Sequence, residues 1–227
     1  ERIFNNPKKS ILGINIGPNK ENADKEDDYL LCIKKLYQQA DYITVNISSP
    51  NTPNLRDLHD KKKILNLINL LQNFKKNSIE KKAIIFKLSP NLTNFEIDTL
   101  SEIFLEKKID GLVLTNTTVT GKESLLDENK NKNGGLSGYP LISISNHTIK
   151  HFYKNLKGIV PIIGAGGVTD GISAYEKIKC GASLLQLYTA MVFKGPYVAS
   201  TINKELSKLL KKDGLKNISD AIGVNIN

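Results

Sequence analysis

The sequence predicts an α/β fold, a barrel of parallel strands in which each strand is followed by a helix. Short runs of β-branched and apolar residues recur along the chain, and a polar loop and a helical pattern follow each run. Polar and glycine-rich motifs follow the carboxyl end of nearly every run. This spread is typical of a TIM-type (β/α)8 barrel, whereas an open doubly wound sheet concentrates such motifs near one switch point.

Six runs that are apolar on both faces are interpreted as buried parallel strands. Because a barrel needs eight strands, we expect about six β/α units here, with the first two strands missing from this chain. A complete but smaller open fold is the alternative. The predicted strands are Ile11–Ile16, Tyr42–Ile47, Ala83–Leu88, Gly111–Leu114, Val160–Ile163 and Ser183–Leu187.

Apolar residues at helical spacing predict helices between these strands. Thr93 is a candidate N-cap, and Glu96 three residues later completes a capping box. We find no tandem repeat or interdomain linker, so residues 1–227 are expected to form a single domain. The predicted helices are Asp24–Gln39, Thr93–Lys107, Lys63–Phe74, Ile142–Leu156, Gly171–Lys179 and Tyr197–Lys212.

The chain of 227 residues carries a formal charge of +9, from 32 basic and 23 acidic residues. Such a charge suits either an anionic partner or a solvated lysine-rich surface. The lysines are spread along the chain, without the aromatic or arginine residues that single-strand binding uses. We therefore favour the solvated surface and expect no nucleic-acid partner. His147 and His151 lie one helical turn apart without a further ligand at motif spacing, so no metal site is predicted.

The segment Asn46-Ile-Ser-Ser-Pro-Asn51-Thr-Pro follows the second predicted strand. It presents two carboxamides and two serine hydroxyls within a few residues, and its prolines stiffen the loop. Carboxamides both donate and accept, which suits a ligand with alternating N–H and C=O groups. A turn in which Asn and Ser bond their own backbone is the alternative.

Further polar side chains stand at other strand ends. Thr115-Asn116-Thr117-Thr118 follows the fourth strand, and Asn15 interrupts the first. Lys87 ends the third strand, where it would either offer a positive charge to a ligand in the barrel mouth or extend to solvent. Several polar groups at equivalent strand ends favour one shared ligand, although each alone is also explained as a local cap.

Glycine-rich loops follow the later strands. Gly164-Ala-Gly-Gly167 comes after the fifth strand, and Tyr188-Thr189 is placed at the end of the sixth. Counted in a complete barrel these are strands seven and eight, whose loops form the usual phosphate site. Gly134–Gly138 adds a further loop that permits close backbone approach.

In order and spacing these segments resemble the class 2 dihydroorotate dehydrogenases, and the resemblance covers nearly the whole chain. Ser48-Ser49 favours class 2, because class 1 members have Cys at the second position. The resemblance also includes Phe193-Lys-Gly-Pro196 and Asp220-Ala-Ile-Gly223. It implies oxidation of dihydroorotate to orotate in de novo pyrimidine synthesis, with FMN as cofactor.

The resemblance also implies roles for individual residues. Ser49 is the expected catalytic base that removes the C5 proton, aided by a relay through Thr52 or water because a free serine is a poor base. FMN takes the hydride from C6. The expected substrate-binding residues are Asn46, Asn51, Asn116 and Thr117. The expected flavin-binding residues are Asn15, Asn46, Lys87, Thr115, Gly138, Gly167, Tyr188 and Thr189.

One departure and one missing part qualify the resemblance. Asn54 stands where the family usually has Gly, and Asn tolerates positive φ. From the resemblance we expect the N-terminal helices that receive quinone in the family to be missing from this chain. Quinone as electron acceptor and peripheral attachment to the bacterial inner membrane, or alternatively the mitochondrial one, are therefore inferred from the class alone.

Two rival functions remain open. A non-redox phosphate-binding barrel, an isomerase or aldolase, shares the glycine-rich loops but needs a carboxylate or a Schiff-base lysine at a strand end. A basic nucleic-acid-binding module would bind with steep salt dependence. The second rival leaves the polar strand ends unexplained.

Overall fold

The computed structural model describes residues 10–19, 25–49 and 60–226. Within these ranges six parallel strands form one sheet in the order β1 to β6, which curls into a partial barrel. The strands are β1 Gly13–Ile16, β2 Tyr42–Asn46, β3 Ala83–Leu88, β4 Leu112–Leu114, β5 Ile162–Ala165 and β6 Leu184–Gln186. The prediction of a partial (β/α)8 barrel is therefore confirmed.

Seven α-helices are described, and six of them match the predicted set to within a few residues. The seventh, α6, was not predicted. The helices are α1 Lys25–Leu36, α2 Lys61–Asn77, α3 Asn94–Glu106, α4 Ile142–Leu156, α5 Gly171–Lys179, α6 Thr189–Lys194 and α7 Val198–Lys212.

Local signals explain where several of these helices begin. The capping box of Thr93 and Glu96 is present, with the Glu96 carboxylate 2.7 Å from the Thr93 amide. Asp60 caps α2 by accepting from two backbone amides of its first turn. These contacts satisfy amides that have no partner within the helix.

The sequence placed Tyr188 and Thr189 at the end of the sixth strand, and this placement is wrong. Strand β6 ends at Gln186, and the carbonyl of Tyr188 accepts hydrogen bonds from the amides of Met191 and Val192, 3.0 and 3.3 Å away. These bonds start helix α6 at Thr189. The predicted strand Ser183–Leu187 matches β6 to within one residue at each end, but the six-residue helix that follows is too short to show a helical period.

The two faces of the sheet have different roles. Side chains of the convex face, such as Val45, Phe86 and Leu114, pack against the helices in the main hydrophobic core. Alternate residues point to the concave face, where Ile85, Val113 and Ala165 form a small separate cluster. The polar strand-end residues lie above this cluster, so the buried layers below hold their backbone in place.

No helix of the described ranges is long and apolar enough to cross a bilayer.

Candidate functional site

The carboxyl ends of β2, β3 and β4 bring three predicted residues together. Asn46 and Lys87 are register partners on adjacent strands. Asn116, which follows β4, donates from Nδ2 to Asn46 Oδ1 over 3.1 Å. The amide of Asn116 is itself fixed by the carbonyl of Leu88 at 2.8 Å. Side chains far apart in sequence therefore converge at one edge of the sheet.

Ser48 connects these groups, although sequence reasoning gave it no site role of its own. Its side chain is fully buried, and its hydroxyl donates to the Lys87 carbonyl over 2.8 Å. The same oxygen accepts from Asn116 Nδ2 at 3.1 Å. Ser48 thus fixes the strand end that carries Lys87 and orients the Asn116 carboxamide. The only available signal was the doubled serine after a strand.

The Asn46 backbone is also held from the helix layer. The hydroxyl of the fully buried Tyr29 on α1 donates to the Asn46 carbonyl over 2.6 Å. Burial and the neighbouring Asp28 raise the pKa of Tyr29 far above its ordinary value, so this hydroxyl stays protonated and donates at all ordinary pH values.

Lys87 is a half-buried cation on the concave face. Burial lowers its pKa below the ordinary lysine value. Among the residues that the structure describes, no carboxylate forms an ion pair with Lys87 Nζ. A desolvated ammonium without a counter-charge favours an anionic or electron-rich ligand at this position.

An open cleft follows from this group across β4, β5 and β6. Its empty volume is about 580 Å³ including the part open to solvent. Eight predicted site residues lie in its wall, and no Asp or Glu is among the lining residues that the structure describes. These eight residues are Lys87, Thr115, Asn116, Thr117, Gly138, Gly167, Tyr188 and Thr189.

The far end of the cleft is built from glycine-rich backbone. Gly166 and Gly167 have φ values of +100° and +77°, which L-residues rarely adopt. A Cβ at Gly167 would lie 2.9 Å from the Ile142 amide nitrogen at the start of α4. A Cβ at Gly138 would lie 2.9 Å from Thr189 Cγ2. Glycine is required at position 167 because loop and helix backbones meet there, and at position 138 a φ of +81° favours it.

Three predicted residues either do not line the described cleft or lie outside the described residues. Asn15 is exposed on edge strand β1, where its register partner is Thr44, and it does not line the cleft. Ser49 is half-buried at the end of a described range. Asn51 lies outside the described residues, as do Thr52 and Asn54.

A cofactor with a polar ring and an anionic end fits the residues of the cleft. The β2–β4 end offers the Asn116 carboxamide and the Lys87 ammonium. The β5–β6 end offers hydroxyls and glycine backbone, and no described lining residue there carries a repelling carboxylate. Gln186 and Ser137 also line the cleft, and Ser137 Oγ accepts from Thr189 Oγ1 at 3.0 Å. Neither was predicted, since isolated Gln and Ser residues carry no motif.

A family model described as "Dihydroorotate dehydrogenase" matches residues 1–210. This chain belongs to the dihydroorotate dehydrogenase family. The resemblance predicted from the sequence is confirmed.

Relatives of this family are named "Dihydroorotate dehydrogenase (quinone)". The mitochondrial protein of Mus musculus is 43% identical over 94% of this chain and 55% of its own length. The protein of Azorhizobium caulinodans is 38% identical over 95% of this chain and 62% of its own. The chain thus spans little more than half the length of these relatives.

Solved structures of the family share the fold. The ligand-free dihydroorotate dehydrogenase (DHODH) from Eimeria tenella superimposes with a TM-score of 0.92 at 36% identity, covering 97% of this chain and 66% of that one. The complex of DHODH with ferulenol from the same organism gives a TM-score of 0.91 over 62% of its length.

Proposed function

We propose that this chain supplies most of the catalytic barrel of a quinone-dependent dihydroorotate dehydrogenase, which oxidises dihydroorotate to orotate in pyrimidine synthesis. The observation that carries the proposal is the convergence of Lys87 and Asn116 at one end of a cleft whose other end is glycine-rich, with Asn46 hydrogen-bonded to Asn116. Such a site matches a pyrimidine substrate beside a flavin with a phosphate tail.

Asn46, Asn51, Asn116 and Thr117 bind dihydroorotate by its amide groups and carboxylate. The Asn46–Asn116 hydrogen bond fixes the orientation of both carboxamides before substrate arrives, which lowers the entropy cost of binding. Ser49 removes the proton from C5. When bound, FMN accepts the hydride from C6 and passes two electrons to a quinone.

The remaining residues hold the cofactor. Lys87 places its ammonium where negative charge develops during reduction. Gly138, Gly167 and Thr189 receive the phosphate through backbone amides and a hydroxyl, with Tyr188 beside them. Thr115 contacts the ring and ribityl chain from the cleft wall. For Asn15, which does not line the described cleft, the flavin contact rests on the family resemblance alone. The names of the relatives, which include the words quinone and mitochondrial, support quinone as acceptor. For the location, we propose a peripheral position on the bacterial or mitochondrial inner membrane.

A non-redox isomerase or aldolase is the competing function. It requires a carboxylate or a Schiff-base lysine in the cleft, and among the described lining residues only Lys87 has suitable chemistry. Membership of a family of redox enzymes favours the dehydrogenase.

The deciding experiment uses the full-length protein, purified and assayed without oxygen. We expect a yellow protein with stoichiometric FMN, whose visible flavin absorbance is bleached by dihydroorotate. Addition of a short-chain quinone should restore it. A colourless protein, or a flavin that dihydroorotate does not reduce, overturns the proposal.

A further inference from the structure

Lys177 on α5 is a fully buried lysine behind the glycine-rich loop. Its ammonium donates to Asn146 Oδ1 over 2.7 Å and to Ser145 Oγ over 3.0 Å. Both partners belong to the second turn of α4 and are neutral. A Cβ at Gly164 would lie 2.7 Å from Lys177 Cδ, so glycine in β5 makes room for the lysine stem.

The charge of Lys177 is not compensated within the described part of the chain. No carboxylate there forms an ion pair with its Nζ, and Cys180 is the titratable neighbour that influences it. Burial lowers the pKa of Lys177 to about 8, so the side chain remains mostly protonated at neutral pH. A methionine would fill similar space without the cost of burying a cation, which suggests that the charge has a use.

Hydrogen bonds connect this ammonium to the cleft. The Ser145 hydroxyl, which accepts from Lys177, donates to the Ala165 carbonyl over 2.6 Å. The same carbonyl accepts from the Thr115 amide at 2.9 Å. Ala165 and Thr115 both line the cleft. Lys177 is therefore two hydrogen bonds from its wall.

The network also supports the glycine-rich loop Gly164–Gly167. A Cβ at Gly166 would lie 3.3 Å from Ser145 Oγ, so Ser145 packs directly beneath the loop. The α4 helix begins there without an acidic residue in its first turn. Its positive end and the buried ammonium lie on the same side of the cleft, where no described lining residue is a carboxylate, so their fields add.

We infer that Lys177 is a positioning residue for the phosphate end of the cofactor: through Ser145 it holds the Ala165–Gly167 backbone, and its ammonium supplies positive potential for a phosphate dianion. This inference rests on the proposed function, since it assigns a role toward a phosphorylated flavin. It predicts a selective effect on FMN, because riboflavin has the same ring and ribityl chain without the phosphate.

The test measures dissociation constants of FMN and riboflavin for flavin-free full-length protein, from the quenching of flavin fluorescence. Lys177→Met removes the charge. Asn146→Asp keeps the side-chain volume and places a carboxylate against the ammonium, so it carries the test if Lys177→Met fails to fold. Lys154→Met, at an exposed position on α4, is the control for loss of one surface charge.

We expect Lys177→Met and Asn146→Asp each to weaken FMN binding roughly tenfold, as loss of one charge across a protein interior implies. Riboflavin binding should change by less than about twofold, because riboflavin lacks the phosphate that the Lys177 charge attracts. Lys154→Met should leave both constants unchanged.

The outcomes separate the two proposals. If the unmodified protein binds FMN but the folded variants weaken FMN and riboflavin equally, or weaken neither, the role of Lys177 is refuted and the proposed function stands. If the unmodified protein binds no FMN, the proposed function fails, and the role of Lys177 toward phosphate fails with it.

Discussion

Asn116 donates a hydrogen bond from Nδ2 to Oδ1 of Asn46 across 3.1 Å, although 70 positions separate the two residues in the chain. Asn46 ends β2 and Asn116 follows β4, so the bond passes over the end of β3, which carries Lys87. Two carboxamides and one ammonium thereby share one ligand-sized region of the sheet edge.

The Asn46–Asn116 pair should act as a unit. In a double-mutant cycle on kcat/KM, Asn46→Ala and Asn116→Ala are expected to be non-additive, with an interaction energy of about 0.5–3 kcal/mol. Removal of either amide leaves the other without its orienting partner. Asn46→Ala combined with Asn73→Ala, at an exposed position on α2, is the control and should be additive. If the effects of Asn46→Ala and Asn116→Ala on kcat/KM are strictly additive, the hydrogen bond between them does not contribute to catalysis.

Ser49→Ala should retain FMN and lose most of the rate of flavin reduction by dihydroorotate. The loss expected for a general base is roughly 10²- to 10⁴-fold, measured by anaerobic stopped-flow at saturating substrate.

Ser48→Ala is the matched comparison for Ser49, since it is the same change at the adjacent position. It removes a buried donor to the Lys87 carbonyl, so its main effect should be a stability loss of about 1–3 kcal/mol. A Ser49→Ala protein with an unchanged reduction rate would eliminate Ser49 as the base.

Lys87→Met should make the flavin midpoint potential more negative, because the reduced ring loses a nearby positive charge. Burial lowers the pKa of Lys87. As pH rises, Lys87 therefore loses the proton that assists reduction earlier than an exposed lysine would. The reduction rate of the unmodified protein should therefore fall at alkaline pH, and this alkaline limb should be absent in Lys87→Met. The exposed Lys208→Met on α7 should keep both the potential and the limb; equal potentials in all three proteins would exclude this role.

Lys177 should also make stability depend on alkaline pH. Its pKa is about 8 in the folded protein against the ordinary 10.5, so between these values the unfolded chain binds more protons than the folded one. The free energy of unfolding therefore gains a contribution that rises with pH from about 8 to about 10.5. Lys177→Met lacks this contribution.

The measurement compares Tm values of the unmodified protein and Lys177→Met across this pH range. The Tm of the unmodified protein should rise relative to that of the variant as pH increases, because the buried lysine becomes neutral. Cys180 is present in both proteins, so its titration largely cancels in the difference. A constant Tm difference would mean that Lys177 titrates normally.

The sequence predicted the strand–helix alternation because buried parallel strands and amphipathic helices leave local apolar patterns. Helices Ile142–Leu156 and Gly171–Lys179 agree with the structure at both ends. Helix α6 was missed because six residues form too few turns for a period to emerge. Tyr188 and Thr189 were consequently assigned to a strand end.

By itself, the sequence determined which chemical groups stand at the strand ends, because turn residues, glycines and carboxamides mark those positions directly. Tertiary structure alone decided which of them meet. Register between β2, β3 and β4 brings Asn46, Lys87 and Asn116 together, and packing of α4 against α5 buries Lys177 beneath the glycine-rich loop. Contacts between distant segments depend on strand register and helix packing, which no local pattern encodes.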